Sequence, residues 1–304
     1  MSTQHPRPST PQVWFVTGAT SGFGRAVTEA AVAAGDVVVA ASRHPEQLDD
    51  LANAFPDQIQ PIRLDVADVA ADLAAVADVE RRYGRIDVLV NNAGRTHVGA
   101  VEETIDAELR SLFEVHFFGP ATLTRAVLPG MRARRSGAVV QLSSMGGQLS
   151  LAGFSAYSAT KFALEGFSEA LADEVARLGI KVLIVEPGAF RTGLFANAIL
   201  SAPTDTTARA YAESVGSTRE MVRTGDGTQP GDPAKAAAAI LTALAADRTP
   251  LRLALGDDAV DAITAHLDSI RADLDTWEEL SRSTAFDIQP TRQGAVGQSP
   301  FEQA

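Results

Sequence analysis

No cysteine occurs in the 304 residues, which excludes disulfides, thiolate nucleophiles and thiolate-bound metals and fits a reducing, cytoplasmic setting. Lysine is nearly absent as well: three lysines stand against 23 arginines, so the chain writes arginine almost wherever a cation serves. The five histidines, at 5, 44, 97, 116 and 266, show no HxxxH or related ligand spacing, and no metal site is expected. No apolar run approaches the roughly 20 residues of a membrane-spanning helix. A formal charge of −12 argues against a general nucleic-acid surface. Residues 1–11 are polar and proline-rich and read as a disordered leader.

What is present alternates. Short β-branched runs at 13–17, 37–42, 59–64, 86–90, 138–143, 181–186 and 251–255 are separated by helical patterns near 23–34, 45–54, 67–83, 106–133, 155–178 and 233–247. That alternation belongs to βαβ units on a parallel sheet, and strands apolar on both faces imply helices on both sides. A last amphipathic helix is expected at 257–282, then a polar tail from 284 to 304. The segment 193–230, rich in Ala, Thr, Ser, Gly and Asp, reads as an irregular substrate loop.

The first strand runs into "TGATSGFG" (17–24). Gly18, Gly22 and Gly24, between a strand and a helix, let the backbone turn tightly and approach phosphates. The helix N-terminus supplies amides for an anion. At the end of the second strand stand Ser42 and Arg43, with no carboxylate to accept a ribose 2′-hydroxyl. A guanidinium there suits a 2′-phosphate, which favours NADP(H) over NAD(H). Asp65, at the tip of the third strand, either accepts an adenine amino group or caps the helix expected from 67.

Tyr157 and Lys161 are four apart on one expected helix and so share a face. A phenol of ordinary pKa near 10 is a poor base at neutral pH, and a nearby ammonium favours its ionised form. Such a pair suits proton exchange with a carbonyl or alcohol oxygen.

Together, "TGATSGFG", "DV" (65–66), "NNAG" (91–94), "SS" (143–144), "YSATK" (157–161) and "EPGAFRT" (186–192) occur in an order that resembles the short-chain dehydrogenase/reductase family over residues 12–260. The resemblance implies a single α/β domain over 12–283 with a Rossmann-type, doubly wound, seven-stranded parallel sheet in the order 3-2-1-4-5-6-7. It implies Tyr157 as general acid/base, Lys161 lowering its pKa and binding the nicotinamide ribose, and Ser144 orienting the substrate carbonyl. Cofactor contacts would come from Gly18, Thr20, Ser21, Gly22, Phe23 and Gly24, then Ser42, Arg43, Asp65 and Val66. Asn92, Ala93, Gly94, Tyr157, Lys161, Pro187, Gly188 and Thr192 complete that set. Leu149, Phe154 and Phe190 join Ser144 and Tyr157 as substrate contacts, which favours an apolar ketone, aldehyde or alcohol. The C-terminal pattern looks most like the retinol and 17β-hydroxysteroid dehydrogenase type.

His116 departs from the pattern, standing where the family usually has asparagine. It either adds a second group titrating near neutral pH or has no proton role. A cofactor-sensing regulator would be expected to lose Ser144, Tyr157 or Lys161, and an epimerase or dehydratase to carry a larger C-terminal domain. By the same resemblance the protein is expected to be a homodimer or homotetramer, through helices 106–133 and 155–178.

Overall fold

The computed structural model describes residues 10–286. The expectations for most of the leader and for the tail beyond 286 lie outside the described residues. Contacts divide the chain into two compact units, residues 1–263 and 264–304.

The first unit is built on seven strands: β1 (Val13–Thr17), β2 (Val37–Ser42), β3 (Ile59–Arg63), β4 (Val88–Asn91), β5 (Gly137–Leu142), β6 (Ile180–Pro187) and β7 (Arg252–Leu255). They form one sheet in the order β3-β2-β1-β4-β5-β6-β7, and every pairing is parallel. The expected α/β, Rossmann-type architecture is therefore the one found. Side chains alternate across each strand and split the core in two. Trp14, Val16, Val38, Ala40, Val88 and Val90 face helices Gly22–Ala33 and Pro233–Ala245. Phe15, Val39, Ala41 and Leu89 face helices Val69–Tyr83, Gly119–Arg134 and Ser155–Val175. Burying one such side chain fully contributes about 1.5–3 kcal/mol. β1 lies between β2 and β4, so the strand order reverses there and opens a crevice at the carboxyl ends of the strands.

Two expected elements differ. The helix read as continuous over 106–133 is broken into Asp106–Phe113, a π turn at Glu114–Phe118, and Gly119–Arg134. Pro120 has no N–H to give the carbonyl of His116 four residues earlier, and the ladder slips by one, with Gly119 N–H donating to the Glu114 carbonyl. The segment 193–230 is more ordered than its composition suggests. Ile199–Leu200 pairs in parallel with His97–Val98, and helices Asp205–Ala210 and Val215–Thr224 follow. A Thr204–Thr207 capping box starts the first of these helices. Arg219, on the second, pairs with buried Glu103 and donates to the Ser201 carbonyl.

Helix Asp257–Arg282 begins in the first unit and continues into the second, where its described part carries the i,i+4 pairs Arg271–Asp275 and Arg282–Glu278.

Candidate active site

Strand β1 ends at Thr17, whose hydroxyl knits two strands together. It accepts the N–H groups of Asn92 (2.9 Å) and Ala93 (3.0 Å) and donates to the Val90 carbonyl (3.2 Å). Asn92 returns its side-chain amide to the carbonyls of Thr17 (2.8 Å) and Gly18 (3.1 Å). Gly18 has φ of +64°, a conformation glycine adopts without strain. Gly24 has no room for a side chain, because a Cβ there would run into the Gly18 carbonyl and the Asn92 amide. Helix Gly22–Ala33 has neither a side-chain cap at Ser21 nor an acidic residue in its first turn. Its N-terminal amides and positive dipole end therefore suit an anion.

At the end of β2, the Ser42 hydroxyl accepts the His44 N–H (3.0 Å). Arg43 faces the same cavity as Arg95, and Arg95 has its pKa lowered by burial and then by the charge of Arg43, with Asp65 opposing. The Asp65 carboxylate accepts the Ala67 N–H (3.1 Å). The helix expected from 67 starts instead at Val69, capped by Asp68 through the N–H groups of Ala70 and Ala71, so Asp65 is not its cap.

On the far side of the crevice, helix Ser155–Val175 presents Tyr157 and Lys161. Burial raises the Tyr157 phenol above its usual pKa, opposed by the nearby Ser144 hydroxyl. The Lys161 ammonium lies 5.7 Å from the Tyr157 ring centre and donates to the Leu142 carbonyl (2.7 Å). Burial lowers its pKa to about 8, with Glu165 opposing. Ser144 leaves β5 and starts the turn Met145–Gly147, its hydroxyl accepting the Gly146 N–H (3.0 Å).

The π turn carries His116 into this centre, almost fully buried and edge-on to the Tyr157 ring at 5.6 Å. Its Nε2 accepts the Arg95 N–H (3.1 Å), which leaves the proton of the neutral ring on Nδ1. Nδ1 then donates to the Thr160 hydroxyl (2.8 Å), which donates in turn to the Tyr157 carbonyl (2.7 Å). Burial, then the charges of Lys161 and Arg95, push the imidazole pKa well below its usual value. Both ring nitrogens are thus engaged by neutral partners.

These groups line one cavity of about 920 Å³, at the upper end of the range for ligand sites. Every site residue expected from sequence lines it except Gly24, which packs behind Gly18. Leu149, Phe154 and Phe190 form apolar wall, with the Phe190 ring tilted against Phe23 at 5.0 Å and Phe154 edge-on to Tyr157 at 6.1 Å. Sequence reasoning passed over Thr17, Thr160 and Asp258. Asp258 accepts the Ala189 N–H (2.7 Å) and so holds the loop after Pro187. The only sequence signal for Thr17 was its place one residue before the glycine turn. Among the described residues no cluster of potential ligands fits a metal ion, and no helix is long and apolar enough to cross a membrane.

Residues 12–201 match the family model described as short chain dehydrogenase. The chain is 38% identical over 275 residues to oxidoreductase BOA17 of Botryotinia fuckeliana, covering 90% of this chain and 99% of that protein. It is 35% identical over 249 residues to the 3-ketodihydrosphingosine reductase of Bacteroides thetaiotaomicron, covering 81% and 88%. A crystal structure of a short-chain dehydrogenase from Streptomyces avermitilis superposes with a TM-score of 0.86 at 63% identity, over 91% of this chain and all of that one.

Proposed function

The chain belongs to the short-chain dehydrogenase/reductase family and is an oxidoreductase, and from that premise we propose that it interconverts an apolar ketone or aldehyde and its alcohol using NADP(H). The observation that carries this reading is the meeting of Ser144, Tyr157 and Lys161, the last with its ammonium 5.7 Å from the Tyr157 ring centre, on the same cavity as the glycine turn.

A dinucleotide fits the residues present. The Gly18–Phe23 backbone and the bare helix N-terminus would hold the pyrophosphate, Asn92 to Gly94 would flank the adenosine side, and Pro187, Gly188 and Thr192 the nicotinamide. Bound, the cofactor supplies or accepts the hydride. Its 2′-phosphate would lie toward Arg43 and Arg95, two guanidiniums close enough for one to depress the other.

The protein's own part is proton management. Ser144 and Tyr157 direct two hydroxyls at one substrate oxygen. A buried phenol holds its proton, which suits Tyr157 to donate as that oxygen gains charge during reduction. The Ser144 hydroxyl stabilises the same developing charge. With a pKa of about 8, Lys161 is mostly cationic at neutral pH. One of its hydrogens is committed to Leu142, which leaves two for a ribose hydroxyl and the phenol. The apolar wall favours hydrophobic substrates, and a relative named for reducing 3-ketodihydrosphingosine supports the same class.

Purified protein is expected to oxidise NADPH with members of a panel of apolar ketones and aldehydes. Tyr157→Phe is expected to lower kcat by roughly 10²–10⁴-fold with NADPH affinity preserved. Full activity in that variant overturns the mechanism.

A further inference from the structure

Beneath the Ser144 turn lies a group of charges that the mechanism above does not use. Glu165 sits one helical turn beyond Lys161, and Glu186 is the next-to-last residue of β6, followed by Pro187 and then Gly188. Both are almost wholly buried, at 3% and 2% exposure. Ser143 donates its hydroxyl to Glu165 Oε1 (2.6 Å). Gln148, beyond the turn, divides its amide hydrogens between Glu165 Oε2 and Glu186 Oε1, at 2.9 Å each. Arg252 on β7 reaches the same two oxygens with its Nε, at 3.1 and 3.3 Å, and gives a terminal nitrogen to Glu169 at 3.0 Å.

Two carboxyl groups thus converge on the same two donors, one on Gln148 and one on Arg252. Arg252 brings a single positive charge and also serves Glu169; Lys161, on the same helix as Glu165, is the other cation acting on it. Two buried carboxyls so close do not both ionise readily, and the pair favours holding one proton. Burial first, then the charge of Glu165, raises the Glu186 pKa to about 7, with Gln148 and Arg252 opposing. None of Glu165, Glu186, Gln148 and Arg252 lines the cavity. They act only through what they grip: Ser143 and Gln148 on either side of the Ser144 turn, the helix of Tyr157, and the strand leading to the nicotinamide loop.

We propose that Glu165 and Glu186, bridged by Gln148 and Arg252, are positioning residues that clamp the Ser144 turn and the Pro187–Gly188 loop to the Tyr157 helix while the pair shares a proton. The proposal rests on the catalytic reading of Ser144 and Tyr157 given above. Loss of the proton sets two anions against each other across their shared donors, and the Ser144 turn, held at both ends, shifts with them. A displacement near 1 Å at a reacting group costs up to about a hundredfold in rate.

The test compares the full-length protein with Glu186→Gln, whose amide supplies in any state the hydrogen that the shared proton supplies. Wild-type kcat is expected to fall by about tenfold or more as pH rises from about 6 to about 8, with NADPH affinity unchanged. Glu186→Gln is expected to keep its acid-limb rate and lose most of that fall, leaving only the roughly twofold decline by pH 8 as Lys161, at about 8, gives up its charge. An unchanged pH profile in the variant overturns the proposal. Should Glu186→Gln fail to fold, Gln148→Met carries the test: kcat is expected to drop about tenfold at unchanged NADPH affinity, and no drop overturns it. An infrared titration of Tyr157→Phe reads the proton without turnover. It should show a protonated-carboxyl band that disappears through the Glu186 titration and is missing when Glu186→Gln is added. Asp72, a second buried carboxyl raised to about 7, contributes a band that this addition leaves in place. Absence of the Glu186 band overturns the clamp whatever the protein reduces. Its presence beside undiminished activity in Tyr157→Phe supports the clamp's proton and overturns the catalytic reading alone.

Discussion

On the nucleotide side of the cavity, position is set by neutral groups at hydrogen-bond distance: the Thr17 hydroxyl, the Asn92 amide and the Gly18 carbonyl. On the proposed reaction side it is set by charged groups, buried Lys161, Glu165 and Glu186 with half-buried Arg252, around Tyr157 and the Ser144 turn. The first arrangement depends on backbone approach, so it tolerates almost any pH and almost no added volume. The second depends on which groups hold protons, so it is exposed to pH. A fold that carries one ligand across both sides combines a rigid cradle with a titratable reaction floor.

The sharpest way to break this contrast is Gly24→Ala. A methyl group there collides with the Gly18 carbonyl, which cannot retreat while Asn92 holds it. Overpacking of this kind costs about 1–3 kcal/mol, or roughly tenfold to a hundredfold in NADPH affinity. Titration calorimetry should find that loss equally at acid and alkaline pH. A loss confined to one pH range would place titration on the wrong side of the cavity.

Arg43→Ala probes the one place where the nucleotide side is expected to use charge. NADPH affinity should fall about tenfold through loss of a charge-assisted contact, with NADH affinity nearly unchanged. Equal loss for both nucleotides removes the phosphate role, and no loss for either leaves Arg43 a solvated arginine.

The same division decides what could be read from sequence. The turn of the proposed cradle was legible because its requirements are local: three glycines in a seven-residue span fix a tight strand-to-helix turn with room only for hydrogen at Gly24. Tyr157 and Lys161 were legible for the same reason, one helical turn apart. The carboxyl clamp was not, since its partners are separated by 17, 22, 38 and 87 positions and meet only when β5, β6 and β7 are laid side by side. The π turn lay between these cases. Pro120 stands inside a stretch read as one helix, and which residue the slip carries inward depends on packing against Thr160 and Arg95.

His116 gives the smallest effect and the closest test of the comparison, because it is a titratable residue that the geometry makes act as a neutral one. Its ring accepts from Arg95 and donates through Thr160 to the backbone of Tyr157, a neutral brace inside the charged half. In His116→Asn at least one link of that chain is lost, and at about 1 kcal/mol per hydrogen bond kcat should fall by only about fivefold. The shape of the pH–rate profile around neutrality should not change, since the imidazole does not titrate there. Stability gives the complementary sign. A histidine whose folded pKa is depressed stabilises the native state above its unfolded pKa, near 6.5, and that contribution is lost as pH falls below it. The wild type should therefore lose stability toward acid more steeply than His116→Asn, in denaturant melts taken on either side of about pH 6.5. If the variant instead removed a limb of the pH–rate profile, His116 would be exchanging protons in the reaction. The neutral brace would then give way to a relay.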